Sequence, residues 1–214
     1  KKMGGYLVRP SNAKGRIPAV VIVHENRGLN PHIADVARRA AAAGYLAFAP
    51  DALYPLGGYP GTDDEGRALQ STRNGAEMLE DFIAAVELMQ KHAESTGKVG
   101  VTGFCFGGGI CNQLAIRVPT LGASAPYYGA AGAEADAAKV VAPLMCNLAS
   151  SDERINAGYP AWEAALKKAG KDVTVHSYPD TQHGFHNDTT PRFNPEQARL
   201  SWNRTLEFWD KHLG

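Results

Sequence analysis

The chain has 214 residues, enough to bury well over half of its unfolded surface in one core without staples. With 44% hydrophobic and 21% charged residues, its composition is globular and argues against disorder. Lys+Arg and Asp+Glu both number 22, and this balance disfavours nucleic acid and anionic membranes as partners.

Short apolar runs alternate with helical patterns along the chain. Residues 6–9 and 19–24 (AVVIVH) read as strands, the second β-branched as in a buried parallel strand. Asn30-Pro31 is a helix start, with Asn as N-cap and Pro first in the helix, and Gly44 is its natural stop. A strand at 45–49 leads to a Gly/Pro-rich loop at 52–63. A long helical stretch follows at 65–92, with a break expected near Gly75. A strand at 98–102 runs into a helix at 105–117. Strands at 123–128 and 144–149, a helix at 156–169, a strand at 173–178 and a helix from Asn194-Pro195 to 212 complete the order. This succession predicts one α/β domain over 1–214, with a mostly parallel sheet and helices on both faces. Ligands in such sheets bind at the carboxyl ends of the strands. The longest uncharged run, 99–116, has 18 residues, near the length of a membrane span. Its five glycines with Asn112 and Gln113 read instead as strand, turn and helix start.

The strongest chemical signal is Gly103-Phe104-Cys105-Phe106-Gly107-Gly108, which follows a strand and opens a helix. That is the context of a nucleophile elbow, G-x-[Ser/Cys]-x-G. The neighbours of the nucleophile must lack Cβ so that strand and helix can approach. The helix N-terminus is expected to lower the thiol's pKa, and the Phe106 N–H to face a developing oxyanion. A glycine-rich turn around a buried Cys would look the same in sequence, so the partners decide. The motif requires acid and then base, each on a loop after a later strand. Asp152 follows the strand at 144–149, and His183 follows the strand at 173–178. Glu153 is a rival acid and His186 a rival base. Asp152 comes directly after the strand-end serines, and Gly184 lets the His183 side chain turn into a site. The His24-Glu25-Asn26 segment ends another strand at the same edge. There the Asn26 N–H is expected as the second oxyanion donor, and Glu25 as a hydrogen-bond partner of the resting Cys105 thiol.

The VIVHENRG segment, the GKVGVTGFCFGG elbow, Tyr127-Tyr128-Gly129, the Asp152 loop and the His183-Gly184-Phe185 loop together resemble the dienelactone hydrolase (carboxymethylenebutenolidase-like) family of the α/β-hydrolase fold. The resemblance runs from about residue 5 to 212, and its Cys elbow with a Glu after the early strand is fairly specific. It implies a hydrolase of small carboxylic esters or lactones with Cys105, Asp152 and His183 as triad. Glu25 would match the family's thiol-contacting glutamate, and Tyr128 and the loop around Tyr54 would line the pocket. The family's Arg four residues after the catalytic His, which binds the substrate carboxylate, is here Asn187. Its second Arg corresponds to Arg67 or Arg73, of which Arg73 is taken as substrate-binding.

The mechanism expected is attack by the Cys105 thiolate and a thioester intermediate, with water activated by His183 for deacylation. No cofactor or metal is required. The partner is a small-molecule ester or lactone, with neither nucleic acid nor membrane, and the chain is expected as monomer or homodimer. Two rivals stand beside this reading. One is a metal-dependent hydrolase using His183, His186 and Glu25, although no HExxH-like spacing occurs. The other is a non-catalytic binding module on the same fold. Cys111, Cys146, Trp162, Trp202 and Trp209 read as core. A free functional thiol suits a reducing cytoplasm, while a chain numbered from Lys1 leaves export of a precursor open.

Overall fold

In the computed structural model, which describes residues 3–214, seven strands form one sheet in the order β1-β3-β2-β4-β5-β6-β7. Only β1 (Gly5–Val8) is antiparallel, pairing with β3 (Leu46–Pro50). The parallel strands are β2 (Ile17–Val23), β3, β4 (Ser95–Phe104), β5 (Ala123–Tyr127), β6 (Leu144–Ala149) and β7 (Val173–Tyr178). Side chains alternate across β2. Val21 and Val23 pack with α3 (Gly75–Lys91), α4 (Phe106–Arg117) and α6 (Tyr159–Lys168) on one face. Val20 and Ile22 pack with α1 (Pro31–Ala42) and α7 (Pro195–Leu213) on the other. Trp162 and Trp209 are fully enclosed, one in each layer, and Cys111 and Cys146 are buried.

Caps place the helices. Asn30 accepts from Ile33 N, and Asn194 from Gln197 N, each followed by Pro. The long helical stretch is two helices, α2 (Asp63–Ser71) and α3. The break falls at 72–74, because the Asn74 side chain accepts from Ala76 N and Glu77 N and starts α3 at Gly75. Thr62 and Glu65 form a reciprocal capping pair at the start of α2, which the sequence reading placed two residues too late. The helix expected at 156–169 is also divided. A short α5 (Glu153–Asn156) precedes α6, and Pro160, lacking an N–H, falls in the first turn of α6. No helix among the described residues is long and apolar enough to cross a membrane.

Candidate active site

The carboxyl ends of β2, β4, β5, β6 and β7 share one edge of the sheet, and the loops leaving them carry Glu25, Cys105, Tyr128, Asp152 and His183. Cys105 lies between β4 and α4 with φ 57° and ψ −113°, a strained left-hand conformation for a residue with a Cβ. Its N–H is tied to the Tyr127 carbonyl at 3.1 Å, which fixes the turn against β5. The flanking glycines serve close approach. A Cβ on Gly107 would stand 2.6 Å from the His24 carbonyl oxygen, and one on Gly103 would stand 2.8 Å from Val23 Cβ. The elbow is thus wedged against the end of β2.

His183 Nδ1 lies 2.5 Å from Asp152 Oδ2. With an ionised Asp152 as acceptor, Nδ1 carries the proton and the other ring nitrogen is left for work in the cavity. Asp152 does two things at once, because its Oδ1 accepts from Ile155 N and caps α5. Gly184, at φ 89°, makes the reversal that turns His183 inward. The rivals stand elsewhere. Glu153 is exposed in the first turn of α5. His186 is buried and stacked on Phe104 with ring centroids 4.9 Å apart, and burial pushes its pKa down to about 3.

A cavity of about 380 Å³ opens over the elbow. Cys105, His183, Asn26, Phe106 and Tyr128 all line it, so the structure brings these five together. The Tyr128 ring lies against His183, 5.1 Å between centroids. Tyr54 and Arg73 are not among the lining residues. Tyr54 is 47% exposed on a 3-10 turn, with its ring over Gly4. The Arg73 side chain is 6% exposed, bonded to Asp81 at 2.8 Å and to the Ala52 carbonyl, and lines a neighbouring cavity that shares Asn26 and Phe106 with the first. The sequence reading missed Arg154, among the described residues the only Lys, Arg, Asp or Glu that lines this cavity. It also missed His24. The Ala52 N–H donates to His24 Nε2 at 3.1 Å, so Nδ1 carries the proton and donates to the Glu25 carbonyl at 2.6 Å. That pins the loop at the end of β2. A charge in a loop and a histidine at a strand end are the only sequence signals for these two.

The thiol corrects one expectation. Burial first, and then the charge of Glu25, raise the Cys105 pKa above the ordinary thiol range. The Phe106 N–H at the helix start and the positive Arg154 and Arg27 pull the other way and do not prevail. The resting nucleophile candidate is therefore a protonated thiol. Glu25 also differs from expectation in its partner. It takes a hydrogen bond from Asn187 Nδ2 at 2.9 Å, and among the described residues none joins it to the thiol. Asn187 is fully buried and neutral, so this hydrogen bond brings no countercharge to Glu25. His183, His186 and Glu25 each have separate neighbours, and among the described residues no three His, Cys, Asp or Glu converge as a metal site.

The sequence model of the dienelactone hydrolase family matches residues 3–213. The chain is 32% identical to a "Putative carboxymethylenebutenolidase" of Synechocystis, over 99% of this chain and 93% of that one. Over a 66-residue stretch it is 68% identical to a "Putative hydrolase fragment" of Escherichia coli, spanning 31% of this chain and 56% of that one. The crystal structure of a "Putative Dienelactone Hydrolase" from Klebsiella pneumoniae superposes with a TM-score of 0.87 at 28% identity, covering 99% of this chain and 94% of that one. A dienelactone hydrolase-like promiscuous phosphotriesterase from metagenomic libraries superposes with a TM-score of 0.82 at 23% identity, covering 99% of each chain. With the sheet order, the elbow and the whole-length match in agreement, the chain belongs to the dienelactone hydrolase family, carboxylic ester hydrolases of the α/β-hydrolase fold.

Proposed function

We propose that this protein hydrolyses small carboxylic esters or lactones by covalent catalysis, with Cys105 as nucleophile, His183 as base and Asp152 as the group that orients it. The observation that carries this reading is the meeting, in one cavity of about 380 Å³, of a strained Cys105 at a helix start and a His183 held by Asp152 at 2.5 Å. His183 draws the thiol proton as the ester enters, and the thiolate attacks the carbonyl. The N–H of Phe106, already at the thiol, takes the developing oxyanion together with that of Asn26. Collapse expels the alcohol with the proton from His183 and leaves a thioester on Cys105. His183 then takes a proton from water, whose oxygen attacks the thioester, and the acid and the thiol are released. Burial, with Glu25 beside it, keeps the idle thiol protonated, so the nucleophile is silent until substrate changes its surroundings. The cavity suits a small substrate and is lined chiefly by apolar and neutral groups, with Arg154 as the one Lys, Arg, Asp or Glu among the described residues that lines it.

Mass spectrometry of the protein quenched during turnover of phenyl acetate tests the reading. An acetyl adduct on the Cys105 peptide is expected, and an adduct on a serine would sink the assignment. Absence of burst and turnover on activated esters and lactones, with ligand affinity unchanged in Cys105→Ala, would favour a binding module instead.

A further inference from the structure

His24 is the first residue after β2, and it is wholly buried. Phe82 of α3 meets its ring nearly edge-on, 5.5 Å between centroids, and the Phe106 ring stacks with it at 6.2 Å and 23°. Burial pushes the imidazole pKa down, so the ring is neutral. Its Nε2 takes the Ala52 N–H from the loop after β3, and its Nδ1–H goes to the Glu25 carbonyl at 2.6 Å. That carbonyl and the Asn26 N–H belong to one peptide unit, and in a trans peptide they point in opposite directions. A carbonyl drawn to the His24 ring therefore sends the Asn26 N–H away from the ring. Asn26 lines the cavity over Cys105, and no group among the described residues accepts from its N–H. The following amides are held by other side chains: Gly28 N donates to Gln70 Oε1 at 2.8 Å and Leu29 N to Asp51 Oδ1 at 3.2 Å. The Glu25–Asn26 peptide lies beyond the end of β2 and before α1, so no ladder or helical bond keeps it from turning over. Turned over, it would set a carbonyl oxygen toward the developing oxyanion and replace attraction by repulsion.

We propose that His24 is a positioning residue for the oxyanion site: by holding the Glu25 carbonyl it fixes the peptide that presents the Asn26 N–H to the substrate, and its ring backs Phe106, which supplies the second donor. The inference rests on the reading of Cys105 as nucleophile and of the Asn26 N–H as an oxyanion donor. His24 moves no proton and does not line the cavity. It acts only in steps that build negative charge on the carbonyl oxygen, which are acylation and deacylation. Displacement of iodide from iodoacetamide by the same thiol builds no such charge, so it does not depend on the His24 contact.

The test is a pair of rates at Cys105 in wild type, His24→Phe and His24→Asn, measured at one pH: the burst of phenol from phenyl acetate, and alkylation by iodoacetamide. His24→Phe keeps an aromatic ring but has no donor. It should slow acylation by about 10- to 100-fold, less than the loss of a whole oxyanion donor, and leave alkylation within about twofold of wild type. His24→Asn restores an N–H donor near the place of Nδ1 and should recover most of the loss. Equal slowing of both rates would mean a general disturbance of the site and would overturn the proposal. So would an unchanged acylation rate in His24→Phe, or a His24→Asn no faster than His24→Phe. Should His24→Phe fail to fold, His24→Leu, smaller and also without a donor, is held to the same outcomes. Should neither fold, His24→Asn decides alone, and acylation slowed by about tenfold or more overturns the proposal. A wild-type Cys105 that takes iodoacetamide but no acetyl group would overturn the nucleophile reading, and this inference with it. Normal acetylation in wild type with any of the adverse results above overturns this inference alone.

Discussion

Asp152–His183 and Asp188–His32 are the same chemical pair set in two places. In each, a carboxylate oxygen meets Nδ1, at 2.5 Å and at 3.0 Å. The difference lies on the far side of the ring. The His183 side chain is 22% exposed and lines the cavity over Cys105. That of His32 is 1% exposed, and its far nitrogen ends in the core without a partner. A carboxylate sets the tautomer of an imidazole wherever the two meet. Whether the imidazole can act as a base on substrate depends on what the second nitrogen faces. The carboxylates differ as well: Asp152 is enclosed and caps a helix, whereas Asp188 sits nearer solvent and shares Arg39.

The largest expected effect is at His183. His183→Gln should lower kcat/KM for an aryl ester by on the order of 10⁴-fold with the fold retained, as measured by steady-state kinetics beside circular dichroism. A loss no greater than that of His32→Leu would erase the distinction between the two pairs. Next comes Asp152. Asp152→Asn should cost on the order of 10²- to 10⁴-fold in kcat, because an amide no longer selects the right tautomer, while its side-chain oxygen still caps α5. Asp152→Ala should lose activity and also about 1 kcal/mol of stability, read from urea unfolding. Asp188→Asn should cost far less in kcat than Asp152→Asn, and an equal loss would break the comparison.

A smaller effect concerns the thiol that the two pairs flank. Because burial and Glu25 raise its pKa, alkylation of Cys105 by iodoacetamide should climb with pH to a midpoint above the ordinary thiol range. Removing the negative charge with Glu25→Gln should move that midpoint down. Removing the positive charge with Arg154→Gln should move it up. Each shift should be up to about one unit, or tenfold in rate at a fixed low pH. Opposite signs would contradict the placement of the two charges.

The smallest effect is a pH slope. Burial pushes His186 down to about 3 from an ordinary 6.5, so the unfolded chain binds a proton at a pH where the folded chain does not. Its contribution to stability is complete above about pH 6.5 and is lost progressively as pH falls toward 3. His186→Phe should therefore flatten the decline of the urea midpoint between about pH 7 and 4. An unchanged slope would remove His186 from the core role that sets it apart from His183.

Most of the fold was legible because its signals are local. Strands β6 and β7 fall where the apolar runs predict them, and the Asn-Pro pairs start α1 and α7. The elbow was legible for a steric reason, since only glycine can stand where a Cβ would meet the end of β2. The placing of Cys105, Asp152 and His183 at one edge, on the loops after β4, β6 and β7, follows from parallel strands, whose carboxyl ends share that edge. The break near Gly75 was legible too, and the Asn74 cap fixes it. The errors lie at helix starts: the Thr62 cap begins α2 two residues early, and the helix expected from 156 begins at Tyr159 behind the short α5.

The sequence by itself determined the α/β architecture, the elbow and the strand-end loops that hold the candidate triad. Periodicity, glycine sterics and chain order act over a few residues and survive without knowledge of neighbours. Only the tertiary structure decided that Asn187 holds Glu25 and that Asp188 holds His32, contacts that span 162 and 156 positions of the chain. It alone placed Arg154 in the cavity, kept Tyr54 and Arg73 out of its lining, and made the thiol a protonated one at rest. Burial and the charges that gather around a group set its protonation, and both belong to the packed molecule rather than to any stretch of sequence.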